Sequence, residues 1–125
     1  MKHSFLLICA LSLLVACNGS PKKAVQETAI QPVNLILDTD LGPDYDDVGA
    51  MAVLHALADS GYVDILATLS SNHDESVIPC IDVLNTYFNR PDIPLGAPKS
   101  EGGVTMTSGH KIKWTEVLPA KYPHK

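Results

Sequence analysis

Five of the chain's fourteen carboxylates fall within ten residues, Asp38 to Asp47 (DTDLGPDYDD). They are Asp38, Asp40, Asp44, Asp46 and Asp47, and they follow directly on the apolar run Val33-Asn34-Leu35-Ile36-Leu37. Like charges held this close repel unless a cation or a donor-rich ligand compensates them. Calcium and magnesium take oxygen ligands, carboxylates above all. A buried strand that delivers such a loop to a sheet edge makes a candidate site for a hard metal ion.

Three other patterns share parts of this loop. An EF-hand loop also opens D-x-D, but it needs Gly at its sixth position and Glu at its twelfth. Counted from Asp38, those positions hold Pro43 and Gly49. An aspartyl-nucleophile phosphatase also sets D-x-D after an apolar strand, which Asp38 and Asp40 satisfy. Its D-x-D-x-[TV] pattern then meets Gly42 where Thr or Val belongs. A plain solvated turn is the third reading, and Gly42 and Pro43 suit a turn.

The pattern D-T-D-x-G-x-D-x-D-D resembles the nucleoside hydrolase family, the inosine/uridine-preferring group that cleaves N-ribosidic bonds. The common family form, D-x-D-x-G-x-D-D, is two residues shorter, and the longer form is similar to bacterial members of the wider superfamily. Ile65 to Asn72 resembles the family's second strand, which ends in an Asn facing the ribose. Asp92-Ile93-Pro94-Leu95 resembles its D-[IV]-P-[VL] strand, and the likeness spans roughly Asn34 to Pro98. By this resemblance Asp40 and Asp47 match calcium ligands, and Asp40 also matches the group that takes a proton from the attacking water. Asp46 matches the carboxylate that bonds the ribose hydroxyls, Asn72 the ribose-contacting amide, and Asp38 a supporting carboxylate. Asp44 lies in the extra pair and receives no role. The resemblance implies Ca2+ as cofactor, a small-molecule substrate (a nucleoside or related riboside), and a homo-oligomer for a full-length form.

Such residues suit the chemistry. Departure of the base makes the ribose oxocarbenium-like, as in glycoside hydrolysis generally. A hard dication can hold a diol and acidify a water, while one carboxylate within hydrogen-bond reach takes its proton. A purely structural ion needs the same oxygens, so the pattern speaks for metal binding before it speaks for turnover.

The start of the chain carries a different signal. Phe5 to Val15 is an apolar run of eleven residues, too short for the ~20 that span a bilayer and suited to a signal-peptide core. Leu14-Val15-Ala16-Cys17 resembles the bacterial lipobox, whose Cys is lipidated. The expectation is an exported, membrane-anchored lipoprotein: residues 1–16 as signal, 17–32 as a flexible tether, 33–125 as the domain. Cys80 is then alone, without an intrachain disulfide partner, and its apolar neighbours suit a core side chain. No spaced Cys/His set suggests zinc. His55, mid-helix, suits packing better than ligation.

Without the signal, fourteen acids face eight bases, a formal net charge of −6. Outside the acidic loop nine acids face eight bases, so the negative charge is local to it. Nothing resembles the basic footprint of a nucleic-acid binder, and membrane contact is expected through the lipid alone.

The elements that must position the loop alternate. Val33 to Leu37 predicts a buried strand, with Asp46 or Asp47 capping the helix that follows. Ala50, Val53, Leu54, Leu57 and Ala58 predict that helix's apolar face, and Gly61 its end. Val63 to Ser70 predicts a second strand. A second helix starts between Asp74 and Pro79, with Val77, Ile81, Leu84 and Phe88 as its stripe and Asn89 at its end. Ile93 to Leu95 predicts a third strand, and Trp114 to Leu118 a helical turn. Strand-helix-strand-helix-strand predicts an α/β fold, a Rossmann-like open and mainly parallel sheet with right-handed crossovers. The acidic loop and Asn72 then share the carboxyl ends of neighbouring strands, where such sheets bind ligands.

The family's remaining metal ligands and leaving-group His have no match, so the chain reads as the N-terminal portion of a nucleoside hydrolase fold, with one side of its sheet short of partners. Two function classes stand: a calcium-dependent hydrolase half-site, and a non-catalytic metal- or carbohydrate-binding surface lipoprotein. The phosphatase is a weaker third.

Overall fold

Val33 to Thr39 forms the first strand, β1, two residues longer than its apolar run because Asp38 and Thr39 stay in the ladder. The computed structural model describes residues 30–42, 44–99, 102–105 and 113–125. The signal segment, Cys17 and nearly all of the tether lie outside the described residues. After β1 the order is α1 (Asp46–Asp59), β2 (Val63–Ser70), α2 (Val77–Tyr87), β3 (Leu95–Gly96) and α3 (Trp114–Lys121). The three strands form one parallel sheet in the order β1-β2-β3. This is a small α/β domain with an open sheet interleaved with helices, and among the described residues no helix is long and apolar enough to cross a membrane.

Both main helices end where the sequence places a residue able to adopt positive φ. Gly61 (φ 75°) donates to the Ala58 carbonyl while Tyr62 donates to Leu57, closing α1 with paired bonds. Asn89 (φ 60°) and Arg90 repeat that pattern on Thr86 and Asn85 at the end of α2. This two-bond stop satisfies carbonyls that the helix itself leaves open. Pro79 falls in the first turn of α2, where its missing N–H costs nothing.

Four expectations are corrected. The apolar face predicted for α1 is not the one that packs: Met51, Leu54 and His55 are buried, whereas Val53 is 61% exposed. Apolar side chains occur all round this helix, so several stripes fit the helical period and only the partner chooses among them. Neither Asp46 nor Asp47 caps α1. Tyr45 holds the cap position without a side-chain bond, and both carboxylates lie in the first turn near the positive end of the helix dipole. β3 starts at Leu95 rather than Ile93: the Ile93 N–H turns back to the Arg90 carbonyl, and Pro94 has no N–H to give a ladder. Pro94 still accepts from the Thr68 N–H at 3.0 Å. The predicted helical turn at Trp114 runs on to Lys121.

The core gathers Leu41, Met51, Val77, Cys80, Ile81 and Leu84, with Trp114 and Leu118 packed against it. Cys80 is fully buried and burial pushes its thiol up to about 12, a core side chain rather than a nucleophile. His55, also fully buried, ties the two helices to the sheet. Its Nε2–H donates to Asn85 Oδ1 at 3.1 Å, and Asn85 Nδ2 donates to Thr68 Oγ1 at 2.9 Å. An Arg90 N–H points at His55 Nδ1 from 3.4 Å, which leaves that nitrogen the acceptor, and Phe88 stacks on the ring at 4.5 Å. Both helices therefore lie on one face of the sheet. On the other face Ile36, next to the packed Leu37, is 56% exposed, so β1 is not the buried strand expected but one half open to solvent.

Burial lowers His55 below its ordinary 6.5, with the Arg90 charge adding to it and Asn85 and Asp59 opposing. A histidine held neutral in the fold stabilises it fully above the unfolded value and loses that contribution as pH falls below 6.5. Thermal melts should therefore fall from pH 7 to pH 5, and His55→Gln should remove the part of that slope lying below 6.5. An identical slope in the variant would assign the effect elsewhere.

Candidate metal and ligand site

The turn that leaves β1 is held almost entirely by side chains. Thr39 Oγ1 accepts the Leu41 N–H at 3.0 Å and hydrogen-bonds the Asp47 carboxylate. Asn72 Nδ2 donates to the Asp40 carbonyl at 3.0 Å and the Leu41 carbonyl at 3.3 Å. Trp114 Nε1 donates to the Gly42 carbonyl at 2.9 Å. Three successive carbonyls are thus satisfied without a ladder or a helix, as buried backbone requires.

Asn72 sits just past β2, where the Ser70 hydroxyl accepts its N–H and donates back to its carbonyl. Its Oδ1 accepts the Asp74 N–H at 3.0 Å. Parallel pairing of Thr39 with Ser70 puts this segment and the acidic loop at the same end of adjacent strands. An open cleft of about 290 Å³ continues along that end, lined by Asp38, Ser71, Gly96 and Gly103 among others.

Asp44, Asp46 and Asp47 converge, each offering a carboxylate oxygen within 4.8 Å of the others. Asp44 and Asp46 are exposed and Asp47 is half-buried. A hydrogen bond to Asp46 and the Asp46 charge raise Asp44 above its ordinary 3.8. Burial raises Asp47 first of all, with the Asp40 and Asp46 charges adding to it and the Thr39 hydroxyl opposing. The neighbouring charges thus raise the proton affinity of Asp44 and Asp47, and a dication answers the same repulsion. The donor set fits a hard cation such as calcium by type and spacing.

Of the sequence-predicted residues, Asp40, Asp46 and Asp47 are brought together, and Asp38 is not. Asp47 and Asp46 stand in the converging group, whereas Asp40 acts on Asp47 from beside it. Asp38 remains in the exposed part of β1, paired with Leu69, at the edge of the open cleft. Asn72 is 2% exposed, and its amide lies against the loop backbone. Sequence reasoning gave no part to Asp44, Thr39 or Trp114. The extra x-Asp pair was the available signal for Asp44; nothing in the sequence signalled a contact between Trp114 and Gly42, 72 positions apart. Compared with protein-family models, curated proteins and solved structures, the chain finds no match.

Proposed function

We propose that this chain carries part of a calcium-dependent site for hydrolysing the N-glycosidic bond of ribonucleosides, in an α/β domain of the nucleoside hydrolase type. The observation that carries the reading is the convergence of Asp44, Asp46 and Asp47 in the loop after β1, whose Asp40 and Leu41 carbonyls Asn72 holds. Asp47 would hold calcium together with Asp44 or Asp40, and the bound ion would supply the positive charge that holds a ribose diol and acidifies a water. Asp40 accepts the proton of that water, and Asp46 accepts hydrogen bonds from the ribose hydroxyls. Asn72 keeps Asp40 and Leu41 in place through their carbonyls while its neighbours line the approach. Asp38 lends negative charge at the cleft edge, next to a sugar that becomes cationic as the base departs.

The test is binding of inosine to the chain with calcium present, read by titration. Inosine should bind only with calcium and better than 2′-deoxyinosine, because the diol is the recognised group. Equal binding of both, or none, ends the reading. Release of free base from inosine or uridine by the 125-residue chain should be negligible. Three carboxylates supply too few of the six to eight oxygens calcium takes, and two of them are exposed to competing water. Robust release would show that these residues suffice.

A second reading, a metal site without catalysis, is favoured by the engagement of the Asn72 amide with the loop backbone. It predicts calcium binding with no dependence on inosine.

A further inference from the structure

We propose that Trp114 is the positioning residue of the acidic loop, so that the docking of α3 sets where Asp44, Asp46 and Asp47 converge. Toward the cation this rests on the function proposed above; toward the loop it stands alone.

One indole holds the loop at two points. Its N–H bonds the carbonyl of Gly42, a buried residue, and its ring lies 5.3 Å from the ring of Tyr45 at 39°. Asp44 falls between those two points, and α1 with Asp46 and Asp47 begins directly after the second. Tyr45 caps α1 without any side-chain bond of its own, so its entry angle is not set by capping chemistry. The indole is the ring against which Tyr45 rests across the fold.

The indole is itself anchored from behind. Lys113 Nζ bonds Asp74 Oδ2 at 2.6 Å, and the Thr115 and Ser76 hydroxyls share a hydrogen bond at 2.8 Å, pinning both neighbours of Trp114 to the segment that leads into α2. The Lys113 ammonium, first among the causes, holds Asp74 at about 2, so this anchor is ionised at neutral pH. Trp114 also packs against the core. A chain of contacts thus runs from α2 through α3 to the carboxylates, and Asn72 secures the other half of the same turn. A loop whose like charges repel opens unless both halves are held.

The experiment uses Trp114→Phe, which keeps a ring for Tyr45 and for the core but removes the N–H. Amide exchange should quicken by about two- to tenfold at residues 41–49, the worth of one hydrogen bond, with β2 and α2 unchanged. Calcium affinity should fall by a similar factor while the circular dichroism is kept. Exchange unchanged at the loop, or quickened uniformly through β2 and α2, overturns the proposal, because the indole would then be inert or mere packing. Should the parent bind no calcium, the proposed function fails and the exchange result still decides the role of Trp114. If Trp114→Phe does not fold, Lys113→Met tests the same claim with the indole intact: loop-confined quickening supports it, and unchanged exchange overturns it.

Discussion

On the calcium reading, Asp47→Asn should weaken calcium binding by more than about a hundredfold and, with calcium chelated, should make the chain more stable at pH 7. The first half follows from the position of Asp47: it touches the converging group, the Thr39 hydroxyl and the Asp40 charge at once. Loss of a mere supporting partner costs roughly 10–100-fold in metal affinity, and Asp47 offers an oxygen directly. The second half follows from linkage. A carboxyl whose folded value is raised above its unfolded 3.8 favours folding in its protonated form and loses that contribution as pH rises through the folded value. At pH 7 the ionised, half-buried Asp47 therefore works against folding when no cation is bound. Asparagine removes the charge, keeps the shape and can still accept from Thr39. Calorimetric titration and melts in chelator read the two signs separately. Unchanged affinity would take Asp47 out of the site; a less stable variant in chelator would show its charge is already compensated within the protein.

Asn72→Ala costs about 2–4 kcal/mol of folding stability. The amide is buried, and its removal leaves the Asp40 and Leu41 carbonyls and the Asp74 N–H without the partners described here. Each buried group stripped of its bond costs about 1–3 kcal/mol, and water entering the opened space recovers part of the sum. Asn72→Asp separates hydrogen bonding from volume: it fills the same space but turns an acceptor toward two carbonyls. Urea unfolding should show both variants destabilised, with the acceptor swap no better than the truncation. A loss under about 1 kcal/mol in both would mean the turn holds itself.

What the sequence disclosed, it disclosed through local chemistry. Val63 to Ser70 is a strand because apolar and β-branched residues run unbroken from Ile65 to Leu69 between Gly61 and Asn72, and the structure gives it the expected ends. Gly61 and Asn89 end their helices because few other residues accept positive φ. The face of α1 was not legible, since His55 owes its burial to Asn85, thirty positions away. The site was legible as charge but not as geometry. That five carboxylates share a loop is plain from the letters; which three converge depends on a turn held by Asn72 and Trp114, contacts 31, 32 and 72 positions long. Pattern reading sees periods of two and of 3.6, and no period encodes an indole resting on a distant carbonyl.

β1 has consequences for how this chain behaves in a tube. It pairs only with β2 among the described strands, so one side of seven residues offers its peptide groups to any extended segment that drifts past. Val33 and Ile36 are more than half exposed along it. Natural sheets blunt such borders with lysine, proline or a covering loop; here the irregularity between Leu35 and Ile36 and the charge of Asp38 are the described interruptions. Strand capture between molecules, rising with protein concentration, is therefore the expected route to aggregation, and Ile36→Lys should suppress it without touching a single carboxylate of the loop.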